Sequence, residues 1–462
     1  MSSRVYDYRK GMVINPNAAR GSTEAKAPYI DHGTEVLSPD RYRSKEIHDL
    51  EWERMWTKVW TLAGFASDIP NVGDYFKYDL GRESFLIVRS KPDKIRAYYN
   101  VCPHRGNQLV TADFATISDT IKCSFHGWKF GLDGSNVKIR DEETFRPEVI
   151  AHRPGLTETA CDTWNGLVFV SMNPRPEPLL DYLGVIPEHL NAFRIDLMRP
   201  YSDTLAWLDA NWKLNMDAFL EFYHAWDVHP ETNPFIDSYR TQYDCYDKGI
   251  GRMILPYGYA SHKLEDPNAI NAGLEYLLRA FGGNPDDYKH LSGTTYRPAI
   301  IEVKRKFAAK NCLKDWDNLS DNQLIDDWNY HIFPNTTLNV FADVCYVQRW
   351  RPHPTDPEKS SYSAISINRP VPQDKNFQLT DLAGLSPDFL GPKGWDGSVR
   401  PERLYPKELK EFGFVLEQDA RLVSQVQKGA MSRAFKGYLL SEQEVRIRHY
   451  TAELDRYLRG DK

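Results

Sequence analysis

The chain has 462 residues, of which 41% are apolar, 26% charged and 13% aromatic, and its formal net charge is -6. This length suffices for two or three domains, and the composition is that of a globular protein. The negative charge gives no electrostatic reason to expect nucleic acid. No apolar run approaches the roughly 18 residues that cross a bilayer, and the start "MSSRVYDYRKGMVINPN" lacks the apolar stretch of a secretory signal. We therefore expect a cytoplasmic protein with reduced thiols and neither a membrane nor a nucleic-acid partner.

The predicted elements begin with an amphipathic helix at residues 40–60. Residues 60–172 then contain short runs of β-branched and aromatic residues, separated by turn signals such as Asp133-Gly134. This pattern predicts a small antiparallel β-domain. The proline-containing stretch 173–180 is expected to lead out of it.

Beyond residue 180, helical and extended segments alternate. Residues 338–350 and 362–371 are predicted to form paired long strands, and the loop-rich stretch 386–406 precedes the last two helices. In the final helix, Ser441 and Glu444 form a capping-box pattern. The apolar stripe of this helix consists of Ile447, Tyr450, Leu454 and Tyr457.

Histidines accompany two of the chain's 6 cysteines in the stretch "CPHRGNQLVTADFATISDTIKCSFHGW", residues 102–128. Cys102 and His104 form one pair, Cys123 and His126 form the other, and 18 residues separate the pairs. Two soft thiolates and two imidazoles from two loops suit either Zn²⁺ or a [2Fe–2S] cluster. In a Rieske centre, both cysteines hold one iron and both histidines hold the other. A structural zinc site is the alternative.

The residues around these pairs resemble the Rieske family, whose pattern is C-x-H followed after a gap by C-x-x-H. The stretches "CPHRG" and "CSFHGWKF" match that pattern. Gly106 and Gly127 allow the backbone to come close to a cluster whose sulfides accept hydrogen bonds. The resemblance implies one [2Fe–2S] cluster per chain, held by Cys102, His104, Cys123 and His126. The other cysteines are expected to be ordinary thiols, namely Cys161, Cys245, Cys312 and Cys345.

A second group of candidate ligands lies in "NWKLNMDAFLEFYHAWDVHP", residues 211–230. His224 and His229 are 5 residues apart, so a regular α-helix would turn them roughly 140° away from each other. Pro230 disfavours a helical conformation at His229, which is therefore expected at or past the helix end, beside His224. Glu221 is predicted one turn before His224 on the same face. Two imidazoles and a carboxylate form the ligand set of non-haem Fe(II) oxygen-activating enzymes; structural histidines at a helix end are the alternative.

From its first helix to its last, the chain resembles the α subunit of Rieske non-haem iron oxygenases, the aromatic-ring-hydroxylating group that includes naphthalene and biphenyl dioxygenases. In that family, the stretch E-x-x-H-x4-H supplies two iron ligands, which implies this role for His224 and His229. The glutamate of the motif links the iron site to a Rieske histidine of the neighbouring subunit. The resemblance thus implies that Glu221 is an electron-transfer bridge to His126 of the next chain.

The third iron ligand in the family is an aspartate near the C-terminus. Here "FVLEQDARLVSQVQKG" offers Asp419, which precedes Gln427 by 8 residues. The family's doubled aspartate is single in this chain, so Glu417 is the alternative ligand. A further departure is Ala218, which stands where many relatives carry an asparagine near the iron.

The resemblance implies an α+β fold, with an antiparallel β Rieske [2Fe–2S] domain inserted in a helix-grip catalytic domain of antiparallel sheet and long helices. The expected parts are an N-terminal helical part of the catalytic domain (1–55), the Rieske domain (56–175) and the mononuclear iron catalytic domain (176–462). One Fe(II) per chain is implied beside the cluster. Because the chain has no plant-type ferredoxin pattern, electrons of NAD(P)H are expected through a separate reductase, with or without a ferredoxin. A head-to-tail homotrimer is implied, with or without a small β subunit.

The implied function is that of an oxygenase component that uses O₂ to hydroxylate an aromatic substrate, with cis-dihydroxylation favoured. A Rieske monooxygenase performing hydroxylation or O-/N-demethylation is the alternative, and an electron carrier without catalysis a remote one. Segment 235–300 is expected to shape the mouth of the substrate pocket. The aromatic residues that are candidates for either the pocket or the core are Phe219, Phe222, Tyr223 and Trp226.

Overall fold

The computed structural model describes Asp7 and residues 10–292, 296–375, 377–379, 391, 393–408, 411 and 414–462. The chain divides into two compact units. The smaller unit comprises Asp49–Tyr182 and Arg351–Asp356, and the larger comprises the described parts of Met1–His48, Leu183–Trp350 and Pro357–Lys462. The domain boundaries expected from the sequence stay predictions. No described helix has both the length and the apolar content needed to cross a membrane.

The helix predicted at residues 40–60 is shorter than expected. Helix α1 (Lys45–Glu51) continues as a π-helical turn at Trp52–Trp56. The following residues lead into a strand that begins at Thr61. Apolar residues continue up to Trp60 and are buried, so the sequence pattern runs past the point where the helix ends.

The smaller unit is built from short antiparallel strands. They are β1 (Thr61–Phe65), β2 (Asp74–Leu80), β3 (Glu83–Lys91), β4 (Lys94–Tyr99), β5 (Phe114–Thr116), β6 (Ile121–Lys122), β7 (Lys129–Phe130), β8 (Asn136–Lys138), β9 (Glu158–Trp164) and β10 (Leu167–Ser171). One sheet has the order β1-β10-β9-β4-β3-β2-β5, and a second has the order β6-β7-β8. Helix α2 (Pro147–Ile150) lies between β8 and β9. The predicted antiparallel β-domain is confirmed.

The core of this unit reaches into the two loops that carry the Cys-His pairs. Leu86 and Val88 of β3 are fully buried and belong to one apolar cluster with Cys102, Cys123 and Trp128. The first loop follows β4, and the second connects β6 to β7. Because core packing fixes side-chain positions, the two cysteines are held by the same contacts that hold the sheet.

A seven-stranded sheet forms the centre of the described part of the larger unit. Its strands are β11 (Arg199–Leu208), β12 (Gln242–Cys245), β13 (Gly251–Leu255), β14 (Asp327–Ile332), β15 (Thr336–Val340), β16 (Val344–Pro352) and β17 (Ser360–Asn368), in the order β11-β17-β16-β15-β14-β13-β12. The helices that follow α2 are α3 (Leu179–Leu183), α4 (Ile186–Leu190), α5 (Trp212–Asp217), α6 (Ala225–Val228), α7 (Ala272–Ala280), α8 (Tyr296–Lys310), α9 (Asp321–Ile325), α10 (Phe414–Ala430) and α11 (Val445–Arg459). The expected α+β fold is confirmed.

The prediction of a single long strand at residues 338–350 is wrong. This stretch is a hairpin, in which β15 ends at Val340 and β16 begins at Val344. The amide of Phe341 donates a hydrogen bond of 2.9 Å to the carbonyl of Val344 and closes the turn. The turn residues Phe341, Ala342 and Asp343 are themselves buried, so the stretch lacks the exposed polar residues that usually indicate a turn. The predicted neighbour strand is present as β17, beside β16.

The final helix forms as the sequence predicts. The carboxylate of Glu444 accepts a hydrogen bond of 2.8 Å from the amide of Ser441, and α11 ends at Gly460 with a φ of 84°, the left-handed conformation that glycine allows. All four residues of the predicted apolar stripe are buried. The ring of Tyr457 stacks on Phe333 at 5.4 Å, which places α11 against the end of β14. The predicted loop-rich stretch 386–406 lies partly outside the described residues.

Candidate metal centres and substrate cavity

The two Cys-His loops share one backbone geometry. The amide of Gly106 donates to the carbonyl of Cys102, and that of Gly127 donates to the carbonyl of Cys123, each at 3.0 Å. The two glycines have φ angles of 74° and 73°, which residues with a Cβ rarely adopt. Each loop therefore turns back on itself directly after its cysteine, as the glycines led us to expect.

The two histidine rings of these loops lie together. The ring centroids of His104 and His126 are 4.6 Å apart, and the ring of His104 stacks on Trp128 at 4.7 Å. The Nδ1 atom of His104 is buried and has no hydrogen-bond partner in the structure. A buried ring nitrogen without a partner is unfavourable, and a bond to a metal ion would satisfy it.

The two cysteines are buried beside these rings. Burial by itself raises the pKa of the Cys123 thiol, but hydrogen bonds from the amides of Phe125 and His126 outweigh it and lower that pKa. The side-chain nitrogen of Asn107 also lies 3.7 Å from the sulfur of Cys123. Thiolate is the form of cysteine that binds iron. The donor set and its surroundings therefore fit a [2Fe–2S] cluster, and the individual ligand roles stay a prediction.

In the larger unit, His224, His229 and Asp419 come together although Asp419 is remote in sequence. One ligand atom of each lies within 4.8 Å of the others. The Oδ1 atom of Asp419 is 3.2 Å from Nε2 of His229 and 3.6 Å from Nε2 of His224. Ligand atoms bound about 2.1 Å from one metal ion are themselves roughly 3 to 3.5 Å apart. One ion therefore fits among these three atoms with little rearrangement.

The other ring nitrogen of each histidine already makes a hydrogen bond. Nδ1 of His224 donates to Glu221 at 2.6 Å, and Nδ1 of His229 donates to the side-chain oxygen of Gln418 at 2.7 Å. Because these oxygens only accept, each Nδ1 carries a hydrogen, and each Nε2 is the atom that faces Asp419 and that a metal ion would bind in place of a proton. Such an outer hydrogen bond is the usual support of a metal-bound imidazole.

The site attracts positive charge. Burial by itself lowers the pKa of His224, but the charge and hydrogen bond of Glu221, together with the charge of Asp419, outweigh it and raise that pKa to about 9. The carboxylates that hold this proton on His224 would also favour a bound metal cation. The three residues thus fit a divalent ion.

The backbone around Pro230 explains how the two histidines reach one another. His229 follows α6 with φ -122° and ψ 58°, so it lies just past the helix end, as predicted. Glu221, by contrast, is not one helical turn before His224, because α5 ends at Asp217 and the chain turns before α6. Its carboxylate instead accepts the amide of His224 at 3.1 Å, and this turn brings it to the imidazole.

Helix α10 carries both Asp419 and the alternative ligand Glu417, and their surroundings favour Asp419. Glu417 pairs with Arg421 at 2.5 Å on an outer face of the helix, whereas Asp419 is 5% exposed. Two turns after Asp419, the side-chain oxygen of Gln427 accepts the amide of Asn211 at 2.9 Å. This contact holds α10 against the segment that precedes α5 and so fixes the position of Asp419.

A cavity of about 460 Å³ lies beside the three ligands. Of the candidate aromatic residues, Phe219 and Phe222 line it, whereas Tyr223 and Trp226 do not. The segment 235–300 contributes wall residues, and its role at a pocket mouth stays a prediction. The apolar walls of the cavity are formed by Phe219, Phe222, Ile236, Met253, Leu255 and Tyr257.

The floor of the cavity is polar, because one face of the sheet carries hydrogen-bonding side chains. The Oδ2 atom of Asp327 accepts a hydrogen bond of 2.8 Å from Asn339, whose oxygen accepts one of 3.2 Å from Gln348. The oxygen of Gln348 accepts in turn from the hydroxyl of Tyr362 at 2.6 Å. These bonds fix the orientation of each amide and of the carboxylate.

The other carboxylate oxygen of Asp327 takes no part in this network. Its Oδ1 atom is buried and has no hydrogen-bond partner among the described residues. The same holds for the hydroxyl of Tyr346, which also lines the cavity. Burial raises the pKa of Asp327 to about 7, although the hydrogen bond from Asn339 and the charge of Arg446 act to lower it. A buried acceptor without a partner is costly, so the cavity floor is prepared for a molecule with a hydrogen-bond donor.

Ala218, which departs from the family pattern, and its neighbour Asp217 lie in different surroundings. Ala218 lines the cavity, so the asparagine of many relatives is replaced there by a small apolar group. Asp217 is buried away from the cavity and accepts hydrogen bonds from the hydroxyls of Tyr42 at 2.7 Å and Tyr450 at 2.8 Å. Burial raises the pKa of Asp217 to about 7 despite both bonds.

Sequence reasoning missed the polar floor and the support of His229. Asp327 and Asn329 alternate with large apolar residues in "DWNYHI", a period-2 pattern that indicates a strand with one polar face. This signal was available in a region where no motif pointed to function. Gln418 carries no such signal, because nothing in its neighbourhood links it to a histidine 189 residues away.

Comparison with protein families gives two matches. The model described as "Ring hydroxylating alpha subunit (catalytic domain)" matches residues 188–460, more than half of the chain. The model described as "Rieske [2Fe-2S] domain" matches residues 59–152. The second range contains both Cys-His pairs, and the first contains His224, His229 and Asp419.

Among curated proteins, the chain is similar to the carnitine monooxygenase oxygenase subunit of Escherichia coli K12, with 31% identity over 222 residues that cover 47% of this chain and 58% of the relative. It is also similar to the α subunit of 2-aminobenzenesulfonate 2,3-dioxygenase of Alcaligenes sp, with 29% identity over 49% of this chain and 64% of the relative. Both matches thus span less than two thirds of the relatives' length.

Two solved structures have a similar fold. A quaternary ammonium Rieske monooxygenase superposes with a TM-score of 0.64 at 19% identity, covering 91% of this chain and 95% of the other. Naphthalene 1,2-dioxygenase superposes with a TM-score of 0.61 at 16% identity, covering 95% of both chains. From the two family matches, the chain belongs to the ring-hydroxylating α-subunit family and carries a Rieske [2Fe–2S] domain ahead of that family's catalytic domain.

Proposed function

We propose that this chain is the oxygenase component of a Rieske non-haem iron system. The observation that carries the proposal is the meeting of three ligand atoms within 4.8 Å beside a cavity large enough for an organic substrate. The proposed Fe(II) ligands are His224, His229 and Asp419. The proposed cluster ligands are Cys102, His104, Cys123 and His126.

The protein's own residues hold and shield the reacting centre. Bound Fe(II) supplies O₂ activation, driven by electrons from the [2Fe–2S] cluster. Glu221 and Gln418 fix the two imidazoles through their Nδ1 hydrogens, so that both Nε2 lone pairs stay directed at one point. The cavity walls place a substrate next to that point, which is the positioning that an oxygen transfer requires.

The product that we propose is singly oxygenated, by hydroxylation or by N- or O-dealkylation. This choice is supported by the similarity to carnitine monooxygenase subunits and to the glycine betaine monooxygenase oxygenase subunit of Chromohalobacter salexigens, which is 27% identical over 47% of this chain.

The substrate that we propose carries a hydrogen-bond donor, an amino or hydroxyl group, which binds Oδ1 of Asp327. With both aromatic and polar lining residues, the cavity suits a molecule with an apolar part and a polar group. Phe219 and Phe222 contribute aromatic rings, and Asp327 and Tyr346 contribute polar atoms. The donor would thereby fix which carbon lies next to the iron.

Cis-dihydroxylation of a polar aromatic compound is the second candidate. The relative from Alcaligenes is named as a 2,3-dioxygenase of 2-aminobenzenesulfonate, an aromatic ring with an amino group. Such a molecule would satisfy Asp327 equally well. The number of oxygen atoms transferred separates the two candidates.

The partners are proposals from the family resemblance. We propose a separate NAD(P)H-dependent reductase, with or without a ferredoxin, and a homotrimer, with or without a small β subunit. In such a trimer, Glu221 would be the electron-transfer bridge to His126 of the neighbouring chain. Its hydrogen bond to His224 supplies the iron-side half of that path.

Replacing Asp419 by alanine is predicted to remove the mononuclear iron and leave the cluster. Iron should fall from about three to about two atoms per two sulfides, measured by metal and acid-labile sulfide analysis of anaerobically reconstituted protein. The matched control is Glu417→Ala, two residues earlier on the same helix, which should keep all the iron. If Glu417→Ala loses iron and Asp419→Ala does not, our assignment of the third ligand is wrong.

Reaction under ¹⁸O₂ is predicted to place one labelled atom in a hydroxylated product or, after dealkylation, in the released carbonyl compound, which is trapped by reduction before its oxygen exchanges with water. The assay supplies a surrogate reductase and NADH, and mass spectrometry follows carnitine, glycine betaine, 2-aminobenzenesulfonate, its ring analogues and biphenyl. We expect turnover of polar compounds with an amino or hydroxyl donor. Two atoms from one O₂ in the product would overturn the monooxygenase proposal in favour of the second candidate. Turnover of biphenyl alone would overturn the polar substrate.

At a pH well above the raised pKa of Asp327, which is about 7, its side chain is charged. Changing Asp327 to asparagine is then predicted to raise the KM of the donor-bearing substrate by roughly 10- to 100-fold, because a hydrogen bond to a charged group contributes about 1.5–3 kcal/mol. We expect kcat to change much less, since the contact is made before and during the reaction alike. The control is Glu411→Gln, because Glu411 lines the same cavity but is exposed. An unchanged KM in Asp327→Asn, or an equal rise in both variants, would count against recognition by Asp327.

A further inference from the structure

Three metal-ligating side chains also meet at a place that the proposed function does not use. His32, Cys245 and His449 each bring one ligand atom within 4.8 Å of the other two. In the described part of the chain, this group and the one formed by His224, His229 and Asp419 are the groups that converge so closely. The segments involved, an N-terminal arm, the end of β12 and the middle of α11, are far apart in sequence.

The ring of His449 is oriented as a metal ligand would be. Its Nε2 atom lies 2.7 Å from the carbonyl of Tyr246, and since a carbonyl only accepts, Nε2 carries the hydrogen. Nδ1 therefore accepts a hydrogen bond from Nε2 of His32, 3.0 Å away, and a bound metal ion would take the place of that hydrogen. This separation is close to the roughly 3 to 3.5 Å expected between two nitrogens bound to one zinc ion.

Both imidazoles are available as neutral donors. Burial lowers the pKa of His449 to about 4, assisted by His32, and burial also lowers the pKa of His32 although Asp31 opposes it. Both rings are therefore uncharged at neutral pH, and the one hydrogen that a metal ion would have to displace is that on Nε2 of His32, which can move to Nδ1 of the same ring. The two rings therefore differ from surface histidines, which are partly protonated near neutral pH.

Cys245 adds a soft donor to the two imidazoles. Its residue is 9% exposed. Burial raises the pKa of the thiol, whereas the charges of Lys26 and Arg446 act to lower it and would stabilise the thiolate once a metal is bound.

We propose that His32, Cys245 and His449 form a zinc site. Two nitrogens and one sulfur with a fourth position open to water are a common ligand set for Zn²⁺, which prefers tetrahedral coordination by nitrogen and sulfur. Binding forms a Zn–S bond, breaks the S–H bond of Cys245 and releases its proton to solvent, with no change in oxidation state. The carboxylates of Asp31 and Glu442 lie close enough to act on His32 and Cys245 and offset the added charge.

The site would fasten the N-terminal arm to the body of the larger unit. The described residues between 10 and 36 contain neither helix nor strand. The arm is held by contacts such as the hydrogen bond of Arg448 to the carbonyl of Glu35 at 2.6 Å and that of the Ala27 amide to Asp244 at 2.8 Å. A metal bridge from His32 to β12 and α11 would cross-link this arm without any repeated backbone pairing.

Zinc binding to the full-length, iron-loaded protein tests the site. Loosely bound metal is removed by gel filtration, which leaves Fe(II) at His224, His229 and Asp419. Zn²⁺ is then titrated by equilibrium dialysis with the iron content checked by metal analysis, and the bound zinc is examined by X-ray absorption. We expect one zinc per chain, with one sulfur at about 2.3 Å and nitrogens at about 2.0 Å. Zinc should also slow tryptic cleavage in the arm, at residues such as Arg20 and Lys26.

Two variants and one control make the result specific. Cys245→Ser should abolish the sulfur signal, and both Cys245→Ser and His32→Gln should lower zinc affinity by at least about 100-fold, the upper range for loss of an outer-shell contact. Cys312→Ser, which removes an exposed thiol, should bind zinc as the parent protein does. The proposal is overturned if no zinc is taken up, if the bound zinc has no sulfur ligand, or if the variants keep the affinity of the parent protein. Two sulfurs per zinc would also overturn it, because they would indicate binding at the Cys-His loops of the cluster. None of these readouts depends on turnover, so they are independent of the proposed oxygenase activity.

Discussion

The contact on which the larger unit's chemistry depends is that of Asp419 with the Nε2 atoms of His224 and His229. A buried carboxylate facing two imidazole lone pairs is electrostatically unfavourable unless a proton or a metal ion lies among them. The hydrogen bonds of Glu221 and Gln418 to the two Nδ1 atoms prevent either ring from relieving this by turning over. The pKa of His224 is raised for the same reason, because the nearby carboxylates favour a positive charge there.

The sheet of the larger unit separates two environments. Along β14, Asp327 and Asn329 face the cavity, whereas Trp328 and Tyr330 are fully buried on the opposite face. Because side chains alternate along a strand, one set of strands forms both a hydrophobic core and a polar cavity floor. Unpartnered polar atoms in a buried floor cost stability, and a site that must recognise a polar substrate is where such a cost is expected.

Local chemistry made part of the site predictable. The Cys-His pairs, the glycines after them and the proline after His229 act within a few residues, so the sequence alone indicates them. The same holds for α11, whose period and cap are local. Asp419 was predicted through family resemblance, and the burial of Asp419 against the outward Glu417 agrees with that choice.

Features that depend on distant residues were not predictable. The floor of the cavity combines β14, β15 and β16 with Tyr362 of β17, and no short stretch reveals that their polar side chains meet. The hairpin at 341–343 was missed because its turn is buried and contains no glycine, proline or asparagine. The break after α5 was missed because the residues from Asp217 to His224 contain no glycine or proline, and the hydrogen bond of Glu221 to the amide of His224 stabilises the turn instead.

The most direct measurement of two separate iron centres in one chain is Mössbauer spectroscopy of reconstituted protein enriched in ⁵⁷Fe. We predict three iron environments of equal area after reduction: two from a cluster whose irons differ in ligation by cysteine or histidine, and one from high-spin Fe(II) with nitrogen and oxygen ligands. A spectrum with only the two cluster environments, or with high-spin iron and no cluster, would contradict the presence of both centres.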